Sequence, residues 1–278
     1  TIVITIFLFG LGAGGYVLPW VVPERKRTDR TFGLIIAIMA VTVAIGFILY
    51  PHTTSVAFNS SPSLYATFYR LSALTTVLFI LLGFIPVFLM GLSLPIGLGL
   101  YAREVKGLSS RIGRLYAVNT VGSLLGSLAS VFWLVPLLGM KGTVILCTVL
   151  LSGQGLYFLY RSNAPQKARI PLFPAAAGVS ALAIILSFTV DIPEVLLRRL
   201  IMPTEYIEYL KEGPSATIWI TDGERNTRKV WIDNLWVAST STEGTHALTA
   251  YYPMILNDNP KTSCGIAFGT GQTFGTNL

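Results

Sequence analysis

The chain has 278 residues, 53% of them hydrophobic and only 12% charged, with a mean hydropathy of +0.65 and a formal net charge of +7. An ordinary soluble domain carries about 25% charged residues, so this composition excludes one over most of the length. Residues 1–191 hold 13 Lys and Arg against 4 Asp and Glu, and residues 192–278 hold 7 against 9, so the positive charge belongs to the apolar part. It sits in short loops between apolar runs, the pattern of membrane orientation and not of a nucleic-acid-binding face.

About 20 mostly apolar residues are needed to cross a bilayer core. Six stretches meet that length or approach it: 1–22, 31–50, 71–94 with an apolar extension to Tyr101, 115–138, 143–160 and 173–190. Together they predict a polytopic helical membrane domain over 1–191. The Pro-His-Thr-Thr stretch from Pro51 and the stretch from Asn59 to Pro62 read as loop, and 63–70, with Tyr65, Phe68 and Tyr69, as a short interfacial helix. A tight turn is expected between the fourth and fifth spans. Four basic residues fall in 23–30, four in 102–114 and three in 161–172, against single ones at Arg70 and Lys141. The basic loops are expected to be cytoplasmic. Six crossings in that register leave the segment after Val190 on the outer face, and the sixth span is the first to question.

The pattern changes from about Pro203. Residues 216–221 alternate and are rich in β-branched and aromatic side chains, 222–227 read as a turn, and 228–233 as a second strand. A small β-hairpin domain is therefore expected over 203–240. A helix over 245–256, a strand over 262–268 and the turn Gly269-Thr270-Gly271 follow. Residues 245–278 read as the start of an α/β domain.

The spans contain no Asp, Glu, Lys, Arg or His. Such residues mark proton and ion pathways inside membranes, so a proton-coupled pump is disfavoured, while a carrier of neutral solutes and an anchor both remain open. In the fourth span Asn119, Gly122 and Gly126 share one helical face. Small residues there suit close helix packing, with the Asn bonding across the contact. A solute site at Asn119 is the other reading. Gly269-Thr270-Gly271 after a strand allows close backbone approach to a nucleotide, though a simple strand-to-helix turn gives the same pattern. Asp233 reads as a turn residue or a substrate ligand. His246 has no partner at metal or triad spacing and reads as structural. Cys147 and Cys264 form no disulfide framework or metal motif.

Several segments together resemble one family, the membrane-fused proteins with a spermidine synthase-like C-terminal domain. They are Met90-Gly91-Leu92-Ser93-Leu94-Pro95, the run from Gly113 to Gly122, the run from Pro136 to Gly142, Glu212-Gly213-Pro214-Ser215-Ala216-Thr217, Asp233-Asn234 through Ala238-Ser239-Thr240, Pro253 through Leu256, and Pro260-Lys261. The resemblance implies a small β domain and then a Rossmann-like α/β nucleotide-binding domain. It implies decarboxylated S-adenosylmethionine or a related nucleoside as co-substrate, held at Gly269, Thr270 and Gly271, and no prosthetic group or metal. It also implies a small-molecule amine as acceptor, with Asp233 near it, and aminopropyl transfer as the reaction class. The sequence differs from the soluble synthases at Asn234, Val237, Thr242-Glu243, His246 and Ala267. The segment with the family's catalytic aspartate is expected beyond Leu278, and both ends are expected to be truncated, so this stretch alone is expected to be inactive.

The reading is a membrane-anchored, spermidine synthase-like transferase in the cell membrane, expected to be a bacterial inner membrane. Its partners are the lipid bilayer and a small amine, with no nucleic acid and with oligomerisation open. The alternative is a transport or sensing protein whose C-terminal domain binds a nucleoside-type ligand without turnover. A structural membrane subunit is a third reading.

Overall fold

The computed structural model describes residues 2–59, 64–101, 108–162, 166–190, 205–223, 227–233, 235–240, 243–257 and 261–262. The chain divides into two compact units, Thr1–Leu196 and Leu197–Leu278.

The first unit is helical, as apolar segments must be when lipid offers the backbone no hydrogen-bond partners. Its helices are α1 (Ile2–Val21), α2 (Asp29–Asn59), α3 (Leu64–Tyr101), α4 (Leu108–Ala129), α5 (Val135–Arg161) and α6 (Gln166–Thr189). A 3-10 turn at Glu24–Lys26 links α1 to α2. Thr28 caps α2, its hydroxyl accepting the Thr31 N–H at 3.3 Å, which satisfies one of the orphan donors of the first turn.

Two helix pairs bring glycine backbones together. Where α1 crosses α3, a Cβ added at Gly91 would stand 3.0 Å from Leu11 Cα, and one added at Gly10 would stand 2.9 Å from Val87 Cγ1. Beside this crossing Leu18, Val22, Ile35, Leu92 and Ile96 form a buried core. Where α2 crosses α5, Gly33 meets Gly155, and Ala37, Ala40 and Ala44 of α2 are buried. Phe32 sets its ring edge-on to Phe158, with centroids 4.7 Å apart. At the other end of α5, Lys141 Nζ donates to the Phe188 carbonyl of α6 at 2.8 Å. A cation at the C-terminal end of a helix satisfies a free carbonyl and complements the dipole.

Among the described residues, four helical stretches are long and apolar enough to cross a membrane: Ile4–Val21, Asp29–Leu49, Leu82–Tyr101 and Ile112–Arg161. The expected fourth and fifth spans lie within the last, a run of 50 residues. As one straight α-helix at 1.5 Å per residue it would measure about 75 Å, more than twice the roughly 30 Å hydrocarbon thickness. Its helical geometry breaks at Gly139, with φ 71° and ψ 172°, a conformation that side chains exclude and that falls at the expected turn. Just before it, Ser130–Leu134 forms a π-turn in which the Val135 N–H reaches back to the Ser130 carbonyl. Pro136 follows and has no N–H to continue an α-ladder. The expected sixth span corresponds to α6, whose apolar part Phe173–Thr189 is shorter than a full crossing helix.

One loop expectation is corrected: residues 51–59 continue α2 as helix. Residues 64–70, expected as a short interfacial helix, are helical and run on as part of α3, and the expected loop residues 60–62 lie outside the described residues. A proline in a membrane helix removes one hydrogen bond without ending the segment where neighbouring helices, Ser or Thr side chains or local 3-10 and π adjustments re-satisfy the freed groups. Pro86 and Pro95 lie inside α3 in the same way.

The second unit holds an antiparallel sheet in the order β1 (Tyr206–Glu212), β2 (Thr217–Gly223), β3 (Thr227–Ile232) and β4 (Leu235–Ser239). Helix α7 (Glu243–Ile255) follows, close to the expected helix. The expected hairpin is thus the centre of a four-stranded meander. Its edge strands escape sequence patterning because β1, with Glu208, Lys211 and Glu212, lacks clean alternation and β4 is short. The expected strand over 262–268, apart from Thr262, lies outside the described residues.

Candidate functional site

The sheet register sorts its polar residues onto two faces. Ile207, Thr221 and Lys229 are directly opposite one another, as are Leu210, Trp219 and Trp231. Tyr206, Asp222 and Arg228 line up on the other face. Alternation imposes this division within β2 and β3, because successive side chains point to opposite sides, and in β1 a register shift between Ile207 and Tyr209 brings Leu210 opposite Trp219.

On the first face Trp219 and Trp231 pack with ring centroids 5.7 Å apart and are buried with Ile207 against them. A closed polar chain runs beside them. The Trp231 indole N–H donates to Thr221 Oγ1 at 3.1 Å, and the Thr221 hydroxyl donates to Glu205 Oε2 at 3.3 Å. Lys229 Nζ pairs with Glu205 Oε1 and lies 5.7 Å from the centroid of the Trp236 ring. The Glu205 and Lys229 side chains are only 7% and 17% exposed, so each charge depends on the other.

On the second face Tyr206 donates its hydroxyl to Asp222 Oδ2 at 3.3 Å. Arg228 lies 3.9 Å from the same oxygen through Nε and 3.0 Å from Glu208 Oε1 through Nη2. Asp222 Oδ1 is buried and makes no hydrogen bond. The pKa of Tyr206 is raised, first by the charge of Asp222 and then by the hydrogen bond to it, with Arg228 opposing.

Asp233 closes the β3–β4 connection in the left-handed region, with φ 53°. That conformation is expected at the first position of a two-residue type I′ hairpin turn, where Asp and Asn are favoured over most side chains. Its carboxylate Oδ1 accepts the Thr217 N–H at 2.9 Å, and its own N–H donates to the Thr217 carbonyl at 2.8 Å. The Trp219 indole N–H donates to the Asp233 carbonyl. Of the two readings of Asp233, this geometry provides the turn directly, and one carboxylate oxygen is already engaged by the backbone.

Of the sequence-predicted site residues, Asn119, Gly122, Gly126 and Asp233 fall among the described residues. Gly269, Thr270 and Gly271 lie outside the described residues, as do Asn234, Thr242, Cys264 and Ala267. The backbone of His246 is part of α7, but its side chain lies outside the described residues. Asn119, Gly122 and Gly126 sit on α4, whose side chains are largely exposed. A Cβ added at Gly122 or Gly126 meets nothing within 4 Å, so the close helix contact expected there is not made among the described residues. Thr120, Ser123 and Ser127 instead turn their hydroxyls back onto carbonyls of their own helix.

The close crossings lie at Gly14–Gly91 and Gly33–Gly155. The first carries a sequence signal: Gly10 and Gly14 have the same one-turn spacing as Gly122 and Gly126. The Glu205–Lys229 pair had no such signal, since it depends on cross-strand register. Among the described residues no group of three or more His, Cys, Asp or Glu side chains is placed to hold a metal ion. The chain matches no protein-family model, no curated protein and no solved structure.

Proposed function

We propose that the chain is the membrane anchor, small β domain and first nucleotide-domain segment of a spermidine synthase-like transferase. The observation that supports it most is the order of elements: apolar helices, then a four-stranded antiparallel meander, then α7. That is the order implied by the resemblance of the segments from Met90 to Lys261. The Rossmann-like domain, the nucleoside at Gly269-Thr270-Gly271 and the bacterial inner membrane belong to the proposal.

The chemistry is a displacement at carbon. The lone pair of an amine attacks the aminopropyl carbon beside a sulfonium, and the carbon–sulfur bond breaks with its electrons going to sulfur. The product ammonium then releases a proton to a carboxylate. Asp233 Oδ1 accepts the Thr217 N–H and so supports the β3–β4 turn; a place for Asp233 near the amine belongs to the proposal.

The test uses the complete natural chain in lipid nanodiscs, with decarboxylated S-adenosylmethionine and a panel of amines. Mass spectrometry reads the aminopropylated product, and calorimetry reads binding of the spent thioether nucleoside. Product with any amine supports the transferase. Saturable nucleoside binding without product favours the sensing or transport reading, and neither binding nor product overturns both.

A further inference from the structure

We draw no further inference here: the strongest candidate, the exposed face of α4 that carries Asn119, Gly122 and Gly126, is a stripe of small residues, and nothing in the structure shows what covers it.

Discussion

Gly33 of α2 and Gly155 of α5 meet backbone to backbone. A Cβ added at Gly33 would stand 2.8 Å from the Gly155 carbonyl oxygen, and one added at Gly155 would stand 3.0 Å from the Gly33 carbonyl oxygen. Neither obstacle is a side chain that could turn aside, so a larger residue must push the helices apart. Gly33→Leu and Gly155→Leu are each expected to destabilise the helical unit by at least the usual overpacking cost of about 1–3 kcal/mol. The two changes act on one contact, so together they should cost less than their sum. Thermal melting in detergent checks this, and unchanged melting of either single variant contradicts the crossing.

Gly122 and Gly126 should respond in the opposite direction. Neither has a neighbour for an added Cβ to strike, and alanine is favoured over glycine inside a helix by up to about 1 kcal/mol. Gly122→Ala and Gly126→Ala are therefore expected to leave melting unchanged or raise it. A clear loss would reveal a helix from outside this chain packed on that face.

Asp233→Ala removes the acceptor of the Thr217 N–H and puts a side chain with no local hydrogen bond at φ 53°. The hydrogen bond and the backbone conformation each contribute on the order of 1 kcal/mol, so a loss of about 1–3 kcal/mol is expected. Asp233→Asn keeps an acceptor oxygen and a residue tolerant of that conformation, and should cost far less. Unfolding followed by tryptophan fluorescence compares the two. Equal losses would rule out the turn as the reason.

The Glu205–Lys229 pair is mostly shielded from water on both sides. Removing one member strands the other charge, at a cost of about 3–5 kcal/mol where a pair is buried. Lys229→Met is expected to destabilise strongly, toward the lower end of that range because Lys229 retains some exposure. Lys229→Met combined with Glu205→Gln should recover much of the loss, because the carboxylate left without a partner is then gone. A double variant no more stable than Lys229→Met would contradict the pairing.

Tyr206 offers a test of the other face. The Asp222 carboxylate repels a phenolate and accepts the hydrogen bond of the phenol, and so lifts the Tyr206 pKa above its ordinary 10.0. A folded-state pKa above the unfolded value contributes stability that is present below pH about 10 and is lost as pH rises through the raised value. Asp222→Asn removes the charge, and the Tyr206 titration read by NMR should move down toward the ordinary value. No movement would show that Asp222 is not the cause.

Orientation follows from the loop cations. The segments 23–30, 102–114 and 161–172, which take in the first residues of α2, α4 and α6, carry 4, 4 and 3 Lys or Arg, and carrying a cation across the membrane potential costs about 2.3 kcal/mol per 100 mV. Single cysteines at Ser61, Ser109 and Ser241, in a background without Cys147 and Cys264, are treated on whole cells with an impermeant thiol reagent. Label at Ser61 and none at Ser109 is expected. Label at Ser109 would reverse the topology. Label at Ser241 would put the β unit outside, out of reach of a cytosolic nucleoside. Protection there would mean one fewer or one more crossing than the six read from the sequence.

The helical stretches, the break at Gly139, the β2–β3 hairpin and α7 were legible because each rests on local chemistry. Apolar runs must satisfy their own backbones in lipid, glycine permits φ 71°, and alternation marks a half-buried strand. Pro51 misled the reading, because a proline that ends a helix in water need not end one among apolar residues. The glycines are ambiguous as well, since one-turn spacing occurs both at Gly10 and Gly14 and at Gly122 and Gly126, and among the described residues only the first pair faces another helix. By itself, then, the sequence determined what must leave water and where the chain can bend. Which helix faces meet, that Glu205 reaches Lys229, and that Asp233 spends an oxygen on Thr217 were decided by tertiary structure. Each joins residues at least 16 positions apart, as between Asp233 and Thr217, and only crossing geometry and strand register set such contacts.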